Sequence, residues 1–151
     1  MTINNKKAYF NYIVEDEYIA GIVLNGGEIK SIRNANASIA DAFCYIDSRG
    51  EIWLKSSYIK LYENAGFSTY DEHRERKLLL NKSEINKIRR FLKERGKGYT
   101  IIPLSMFINE SGYCKVKIGI CKGKKLYDKK QTIKERDIDR QSKREYNPEI
   151  Y

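Results

Sequence analysis

The sequence predicts a mainly β (α+β) protein in which about six short antiparallel strands close into a small barrel. Short runs of β-branched and aromatic residues alternate with turn residues over much of the chain, whereas few stretches have helical spacing. A small sheet with many short strands exposes unpaired edges, and closing the sheet on itself removes them. We therefore expect an OB-like barrel with flanking helices in residues 1–125 and a basic C-terminal tail in residues 126–151.

The first predicted element is a hairpin. Residues 10–14 and 18–24 are rich in residues that favour strands, and the acidic residues 15–17 separate them. Residues 25–27 (Asn-Gly-Gly) then end the second strand, because glycine readily adopts the backbone angles of a sharp turn. Residues 28–33 are predicted to form a short helix with two isoleucines facing inward.

A second hairpin is predicted from residues 39–46 and 51–54, with its turn at residues 47–50. Trp53 is expected to anchor the core, since an indole ring buries a large apolar area. Residues 57–62 form a further strand candidate. The polar residues 63–76 are interpreted as a long surface loop.

The clearest helix is predicted at residues 81–95, with Ser83 as its cap and Gly96 at its end. Residues 100–108 and 113–121 then form the last hairpin. Pro103 donates no backbone hydrogen bond, which indicates an edge position or a bulge.

The charge is concentrated near the C-terminus. Residues 112–151 contain 12 Lys and Arg against 6 Asp and Glu, whereas residues 1–111 contain 17 against 14. A basic segment on a nearly balanced body favours a polyanionic partner, although a solvated surface is the alternative. Twelve tyrosines favour nucleic acid, because aromatic rings stack on bases. Residues 131–146 lack a broad apolar stripe, so we expect them to become helical only on a partner.

Residues for catalysis or metal binding are sparse. The three cysteines lack zinc-ligand spacing, and Cys44 and Cys114 are expected in the core. His73 lies in a charged loop, and the glycines around Lys122 lack the spacing of a phosphate-binding loop. We predict no catalytic residue, metal or cofactor, with a nuclease as the remaining enzymatic alternative. The absence of a long apolar stretch favours a soluble protein of a reducing compartment, the cytoplasm.

Several motifs together resemble the SmpB family of tmRNA-binding proteins, and they occur in order between about residues 5 and 140. They are NKKA at 5–8, AGI at 20–22, GEIKSIR at 27–33, RKLLL at 76–80, GYT at 98–100, KVKIG at 115–119 and KGKKLYDK at 122–129. The resemblance implies an OB-like barrel that binds the tRNA-like domain of tmRNA and delivers this RNA to stalled ribosomes. It implies a tail that occupies the decoding centre of the small subunit and the empty mRNA channel. Elongation factor Tu is an indirect partner through charged tmRNA, and neither a membrane nor a cofactor is involved. The alternative is a generic ribosome-associated OB-fold RNA-binding protein.

The resemblance assigns tmRNA binding to positions in the barrel domain. They are Asn5, Lys6, Lys7, Glu28, Lys30, Arg76, Lys77 and Leu79. Lysine and arginine there can contact phosphates without reading sequence. Two alternatives remain open: Leu79 is as consistent with a core position, and Glu28 and Lys30 are more consistent with fixing the turn after the second strand.

Decoding-centre contacts are assigned to the end of the barrel and the tail. They are Lys122, Lys124, Lys125, Tyr127, Asp128, Lys129, Lys130, Lys134 and Arg136. Residues 128–130 align with a family Asp-Lys-Arg motif, and Tyr127 is placed to stack on an unpaired ribosomal base. The chain departs from common family residues at Phe10, Asn11, Ile19 and Lys130.

Overall fold

A computed structural model describes residues 2–62 and 70–124. The strands are β1 (Thr2–Asn4), β2 (Tyr12–Ile22), β3 (Ala37–Ser38), β4 (Phe43–Ile46), β5 (Ile52–Lys55), β6 (Tyr58–Ile59), β7 (Arg76–Leu79), β8 (Tyr99–Ile108) and β9 (Cys114–Gly123). The helices are α1 (Lys6–Asn11), α2 (Gly26–Arg33) and α3 (Lys82–Arg95).

Six strands form a ring of antiparallel pairs in the order β8, β4, β5, β7, β2, β9, and β9 pairs back to β8. β1 extends the sheet along β8, and β3 pairs separately with β6. The contact between β4 and β8 is narrow, because only Cys44 and Ile101 are in register. The mainly β, antiparallel architecture predicted from the sequence is confirmed.

The core lies inside this ring. Val116, Ile118 and Ile120 alternate along β9 and are at most 1% exposed. Ile85 and Ile88 of α3 pack into the same cluster, so the helix covers part of the ring. All three cysteines are buried with free thiols, which agrees with the prediction for Cys44 and Cys114.

The predicted first hairpin is wrong. The acidic residues 15–17 are part of one continuous strand, β2, which pairs with β9 along its length. A register shift between Val14 and Asp16 accommodates the polar residues as a bulge. Glu17 remains at the surface, where its carboxylate lies 3.1 Å from the Lys117 ammonium.

The start of α2 also differs from the prediction. Gly26 and Gly27 begin the helix, and neither has a positive φ. The helix starts here because Asn25 caps it: the Asn25 side chain accepts from the Glu28 amide at 2.9 Å, and Glu28 accepts from the Asn25 amide at 3.0 Å. Trp53 is only half-buried and donates through Nε1 to Asp47, so it does not anchor the core.

The predicted Ser83 cap is wrong: α3 begins at Lys82, two residues before a Ser83 cap would place its start, because Asn81 is the capping residue and Glu84 accepts from the Asn81 amide at 3.2 Å. Arg76, the last residue of the predicted loop, instead begins the strand β7. The hairpins β4–β5 and β8–β9 are confirmed. β8 carries the expected bulge, a register shift between Pro103 and Ser105.

Candidate nucleic-acid interface

An apolar patch lies on the outer face of the ring where β2, β7 and β9 meet. Leu79 is 51% exposed at its centre, whereas the preceding Leu78 is buried. Successive side chains of a strand point to opposite faces, so β7 directs Leu78 inward and Leu79 outward. The core alternative for Leu79 is therefore wrong. The group called the Leu79 patch below consists of Leu79, Gly21, Val23, Tyr113 and Lys115.

Gly21 allows two side chains of this patch to approach each other. In β2 it stands opposite Leu79 on one side and Lys115 on the other. A Cβ at this position would lie 3.3 Å from Leu79 Cβ and 3.7 Å from Lys115 Nζ. The space left open belongs to a cleft of about 330 Å³. A nucleotide can place its base or ribose on the apolar floor and its phosphate beside the Lys115 ammonium.

A polar row continues from the patch across the same outer face. Lys77 stands opposite Trp53, and Trp53 stands opposite Tyr45, so the three side chains share one side of the sheet. Lys77 Nζ lies 3.2 Å from a carboxylate oxygen of Glu51, with both groups partly exposed. The Tyr45 hydroxyl donates to Glu75 at 2.8 Å, and this hydrogen bond raises the pKa of Tyr45. The row places Lys77 beside Leu79 on β7, the Trp53 ring on the next strand and the Tyr45 ring one strand further away.

A buried ion-pair network lies behind this face. Glu28 and Arg76 are both fully buried, and Arg76 Nε donates to Glu28 Oε2 at 2.6 Å. Arg76 also donates to the Ser57 hydroxyl at 2.8 Å, and Arg74 forms a second ion pair with Glu28. Burial alone would raise the pKa of Glu28, but hydrogen bonds from Arg74, the Asn25 amide and Arg76 together lower it. The network ties α2 to β7, and the buried side chains of Glu28 and Arg76 are not available for direct contact with RNA.

Asn5 is likewise buried, at 2% exposure. Its Nδ2 donates to the carbonyls of Ile39 (3.1 Å) and Pro103 (2.8 Å), and its Oδ1 accepts from the Ala8 amide at 3.2 Å. Asn5 therefore caps α1 and fixes this helix to β8. A direct hydrogen bond to RNA would require breaking one of these bonds.

The remaining predicted lysines of the barrel domain are exposed. Lys6 and Lys7 lie on α1, and Lys7 Nζ is 3.6 Å from Asp41 in a solvent-exposed ion pair. Such a pair adds little stability, so Lys7 is free to exchange its partner for a phosphate. Lys30 is exposed on α2. The predicted residues thus do not form one cluster: α1 packs near the start of β2, whereas Leu79 pairs near its end.

Comparison with known proteins gives one consistent answer. A family model described as SmpB protein matches residues 2–148. The SsrA-binding protein of Coprothermobacter proteolyticus is 49% identical over 142 residues, which cover 93% of each chain. That of Bacteroides thetaiotaomicron is 47% identical over 137 residues, covering 91% of this chain and 89% of the relative. The chain belongs to the SmpB family.

A solved structure supports the same relationship. It is described as "tmRNA-SmpB: a journey to the center of the bacterial ribosome" and contains a chain with 36% sequence identity. The match covers 83% of this chain and 85% of that one, with a TM-score of 0.68. The SmpB-family fold therefore extends over most of the described residues.

The end of β9 precedes the residues that the sequence predicts to form the tail of this SmpB-family chain. Lys124 holds the exit in place: its amide donates to the Asn11 carbonyl at 2.8 Å, and its Nζ donates to the Tyr9 carbonyl at 3.0 Å. Lys122 is exposed, and its Nζ lies 5.9 Å from the ring centre of Tyr99. This region, called the tail exit below, consists of Tyr99, Lys122, Lys124 and α1.

The other residues predicted to contact the decoding centre lie outside the described residues. They are Lys125, Tyr127, Asp128, Lys129, Lys130, Lys134 and Arg136. The proposed tail boundary and its change from disorder to helix fall outside them as well.

Sequence reasoning missed four members of the Leu79 patch as site residues: Gly21, Val23, Tyr113 and Lys115. Lys115 carried a signal, since it alternates with inward-facing residues of β9 and stays outside. In residues 2–62 and 70–124, no group of three or more His, Cys, Asp or Glu side chains is placed to hold a metal. Every helix in those ranges is too short or too polar to cross a bilayer.

Proposed function

We propose that this chain is a cytoplasmic RNA-binding adaptor that binds the tRNA-like domain of tmRNA and delivers it to stalled ribosomes for trans-translation. Its relatives carry the name SsrA-binding protein, and the related solved structure concerns tmRNA, SmpB and the bacterial ribosome. The observation that carries the proposal is the Leu79 patch, an exposed apolar cleft beside a lysine in a SmpB-family chain. The adaptor catalyses no reaction, and the ring of six strands is its OB-like barrel.

In this proposal the barrel residues have two kinds of role. Leu79, Gly21 and Tyr113 provide surface for a base or ribose, and Lys115 and Lys77 contact phosphates. The exposed lysines of α1 and α2 add further phosphate contacts: Lys6, Lys7 and Lys30.

Asn5, Glu28 and Arg76 act indirectly. Their side chains are buried and hydrogen-bonded inside the protein, so they position α1, α2 and β7 rather than touch RNA. A variant at these positions should lose RNA affinity only together with structure or stability.

The tail contacts the decoding centre and the empty mRNA channel. Lys122 and Lys124 begin this contact at the tail exit, and Lys125, Tyr127, Asp128, Lys129, Lys130, Lys134 and Arg136 continue it. The tail replaces the missing codon–anticodon pairing with contacts of its own.

A gel-shift titration of the isolated tRNA-like domain tests the proposal. Leu79→Ser removes an exposed apolar contact, and we expect affinity to fall about tenfold, since fully burying a leucine side chain is worth roughly 1.5–3 kcal/mol. Ile13→Ser is the matched control, because Ile13 is a 42% exposed apolar residue of β2 outside the patch. The control should retain wild-type affinity within about twofold.

Equal affinities for wild type and Leu79→Ser would contradict the assignment of the patch. The RNA that copurifies with the full chain separates the adaptor from a generic ribosome-associated RNA-binding protein. Enrichment of tmRNA supports the adaptor, whereas ribosomal RNA without tmRNA would support the generic protein.

A further inference from the structure

The helix α3 presents a cationic surface that the proposed tmRNA contacts do not use. Its sequence, KSEINKIRRFLKER, contains six basic and two acidic residues. Arg89, Arg90 and Lys93 are exposed on the side that faces β4 and β8. Among the described residues, no carboxylate forms an ion pair with any of these three. None of the three charges is therefore paired with a carboxylate of the described residues.

These cations line a groove. β4 and β8 are in register only at Cys44 and Ile101, so the two strands separate beyond this point. The separation leaves a cleft of about 710 Å³ between the strands and the C-terminal half of α3. The α3 groove, as it is called below, is lined by Tyr45, Arg89, Arg90, Lys93 and Tyr99, over a floor that includes Ile101.

The acidic residue that lines the groove is already engaged. The Asp47 carboxylate accepts hydrogen bonds from the Glu51 and Arg49 amides and from Trp53 Nε1, all at 2.9 Å. These hydrogen bonds, of which the one from the Glu51 amide has the largest effect, lower the pKa of Asp47. The carboxylate therefore stays charged, but it is bonded to groups of its own hairpin. The two tyrosine hydroxyls donate to Glu75 and Glu15 at the margins, which fixes both rings.

The groove and the Leu79 patch lie at opposite ends of the β8–β9 hairpin. Tyr99 begins β8 and lines the groove, whereas Tyr113 of the patch follows the turn at the far end. Ten strand residues span roughly 30 Å at 3.3 Å per residue. The groove instead adjoins the tail exit, because Tyr99 stands opposite Lys122 in the β8–β9 pair.

We propose that the α3 groove binds the sugar–phosphate backbone of RNA in the small ribosomal subunit, while the Leu79 patch holds tmRNA. The chemistry fits phosphodiesters: guanidinium groups pair with phosphate oxygens, and fixed tyrosine rings support a ribose or base. The location also fits, since the groove continues the cationic surface from which the tail leaves. This inference rests on the proposed function, because it assigns a second RNA to the same adaptor.

The test compares two RNA partners with one pair of variants. Arg89→Gln/Lys93→Gln removes two groove cations on one helix face, and Lys60→Gln/Lys87→Gln removes two exposed lysines, one of them on α3, that do not line the groove. Full-length wild type and both double variants are titrated, bound to tmRNA, against purified small subunits at several salt concentrations. The same three proteins are titrated against the isolated tRNA-like domain.

We expect the groove variant to bind small subunits about tenfold more weakly, with the slope of log K against log salt reduced by roughly 1.5–2 units. Its affinity for the tRNA-like domain, and all affinities of the control variant, should stay within about twofold of wild type. Unchanged subunit binding would overturn the inference, as would an equal loss in the control. A loss toward the tRNA-like domain alone would assign the groove to tmRNA instead.

The two proposals fail differently in this design. Wild-type protein without measurable affinity for the tRNA-like domain contradicts the proposed function. A groove variant with wild-type affinity for both partners contradicts only the groove.

Discussion

The Leu79 patch and the tail exit are two surfaces of one ring with different construction. The patch has apolar side chains around a single lysine, and the pairing of β2 with β7 and β9 places Leu79 and Lys115 on either side of Gly21. The tail exit is cationic. It is held by hydrogen bonds from Lys124 to two carbonyl groups of α1, those of Tyr9 and Asn11. Apolar contact is insensitive to salt, whereas phosphate neutralisation weakens steeply as salt rises. The proposed function therefore assigns the two surfaces different physical means of recognising RNA.

The largest expected effect comes from removing the residues that follow the tail exit. Truncation after Lys125 leaves the described residues unchanged and deletes residues 126–151, the whole of the predicted tail. We expect binding to the tRNA-like domain within about twofold of wild type and loss of peptide tagging on stalled ribosomes, because the Leu79 patch remains complete. Gel shift and a tagging assay measure the two effects. A truncated protein that no longer binds the tRNA-like domain would show that the tail is the tmRNA anchor.

The next effect concerns the buried network behind the patch. Glu28→Gln leaves the buried guanidinium of Arg76 without its carboxylate, and we expect a loss of about 3–5 kcal/mol in the free energy of unfolding. Urea denaturation measures it. The control is Glu17→Gln, which removes a partly exposed partner of Lys117 and should cost less than about 1 kcal/mol. Similar losses in the two variants would contradict a buried, strongly coupled pair.

The same network predicts a pH dependence. The folded protein lowers the pKa of Glu28 below its ordinary value of 4.5. The unfolded chain therefore takes up the proton first as pH falls, so the stabilisation is fully present above pH 4.5 and decreases below it. The difference in unfolding free energy between wild type and Glu28→Gln should shrink as the solution is acidified through this range. A constant difference between neutral and acidic pH would argue against an ionised Glu28.

A buried hydrogen-bonding residue, Asn5, allows the structural role of a predicted RNA contact near the tail exit to be tested. Asn5→Ala leaves the carbonyls of Ile39 and Pro103 without their donor, and we expect a loss of about 1–3 kcal/mol in stability. Lys77→Ala, at the patch end, should hardly change stability but should weaken tmRNA binding and lower the salt slope by about 1. Thermal unfolding and gel shift separate the two. A stable Asn5→Ala variant with weak RNA binding would reassign Asn5 to direct contact.

These residues also explain what the sequence can and cannot predict. The hairpins β4–β5 and β8–β9 and the helix α3 follow from local periodicity and turn residues, so they were predictable. The role of Asn5 depends on carbonyls 34 and 98 positions away, and that of Arg76 on a glutamate 48 positions away. No local pattern distinguishes such buried polar residues from polar residues that contact RNA.

The Leu79 patch and the α3 groove show the same limit, because both depend on how strands pair. Leu78, Leu79 and Leu80 form a uniform triplet, and only the pairing of β7 with β2 decides which side chain faces outward. The α3 groove was also not predictable, because it results from the separation of β4 and β8 after a single pair in register.

The smallest expected effect gives the sharpest test of the difference between the Leu79 patch and the tail exit. Gly21→Ala adds a Cβ 3.3 Å from Leu79 Cβ, which occupies the floor of the patch without removing a contact. We expect the affinity for the tRNA-like domain to fall about threefold to tenfold, while small-subunit binding by the tail exit is unchanged. Gly123→Ala is the matched control, since it is also a β-strand glycine and a Cβ there meets nothing within 4 Å. If the two alanine variants behaved alike in the gel shift, the open space at Gly21 would not be used by RNA. RNA would then contact the side chains of Leu79 and Lys115 without approaching the backbone of β2 at Gly21.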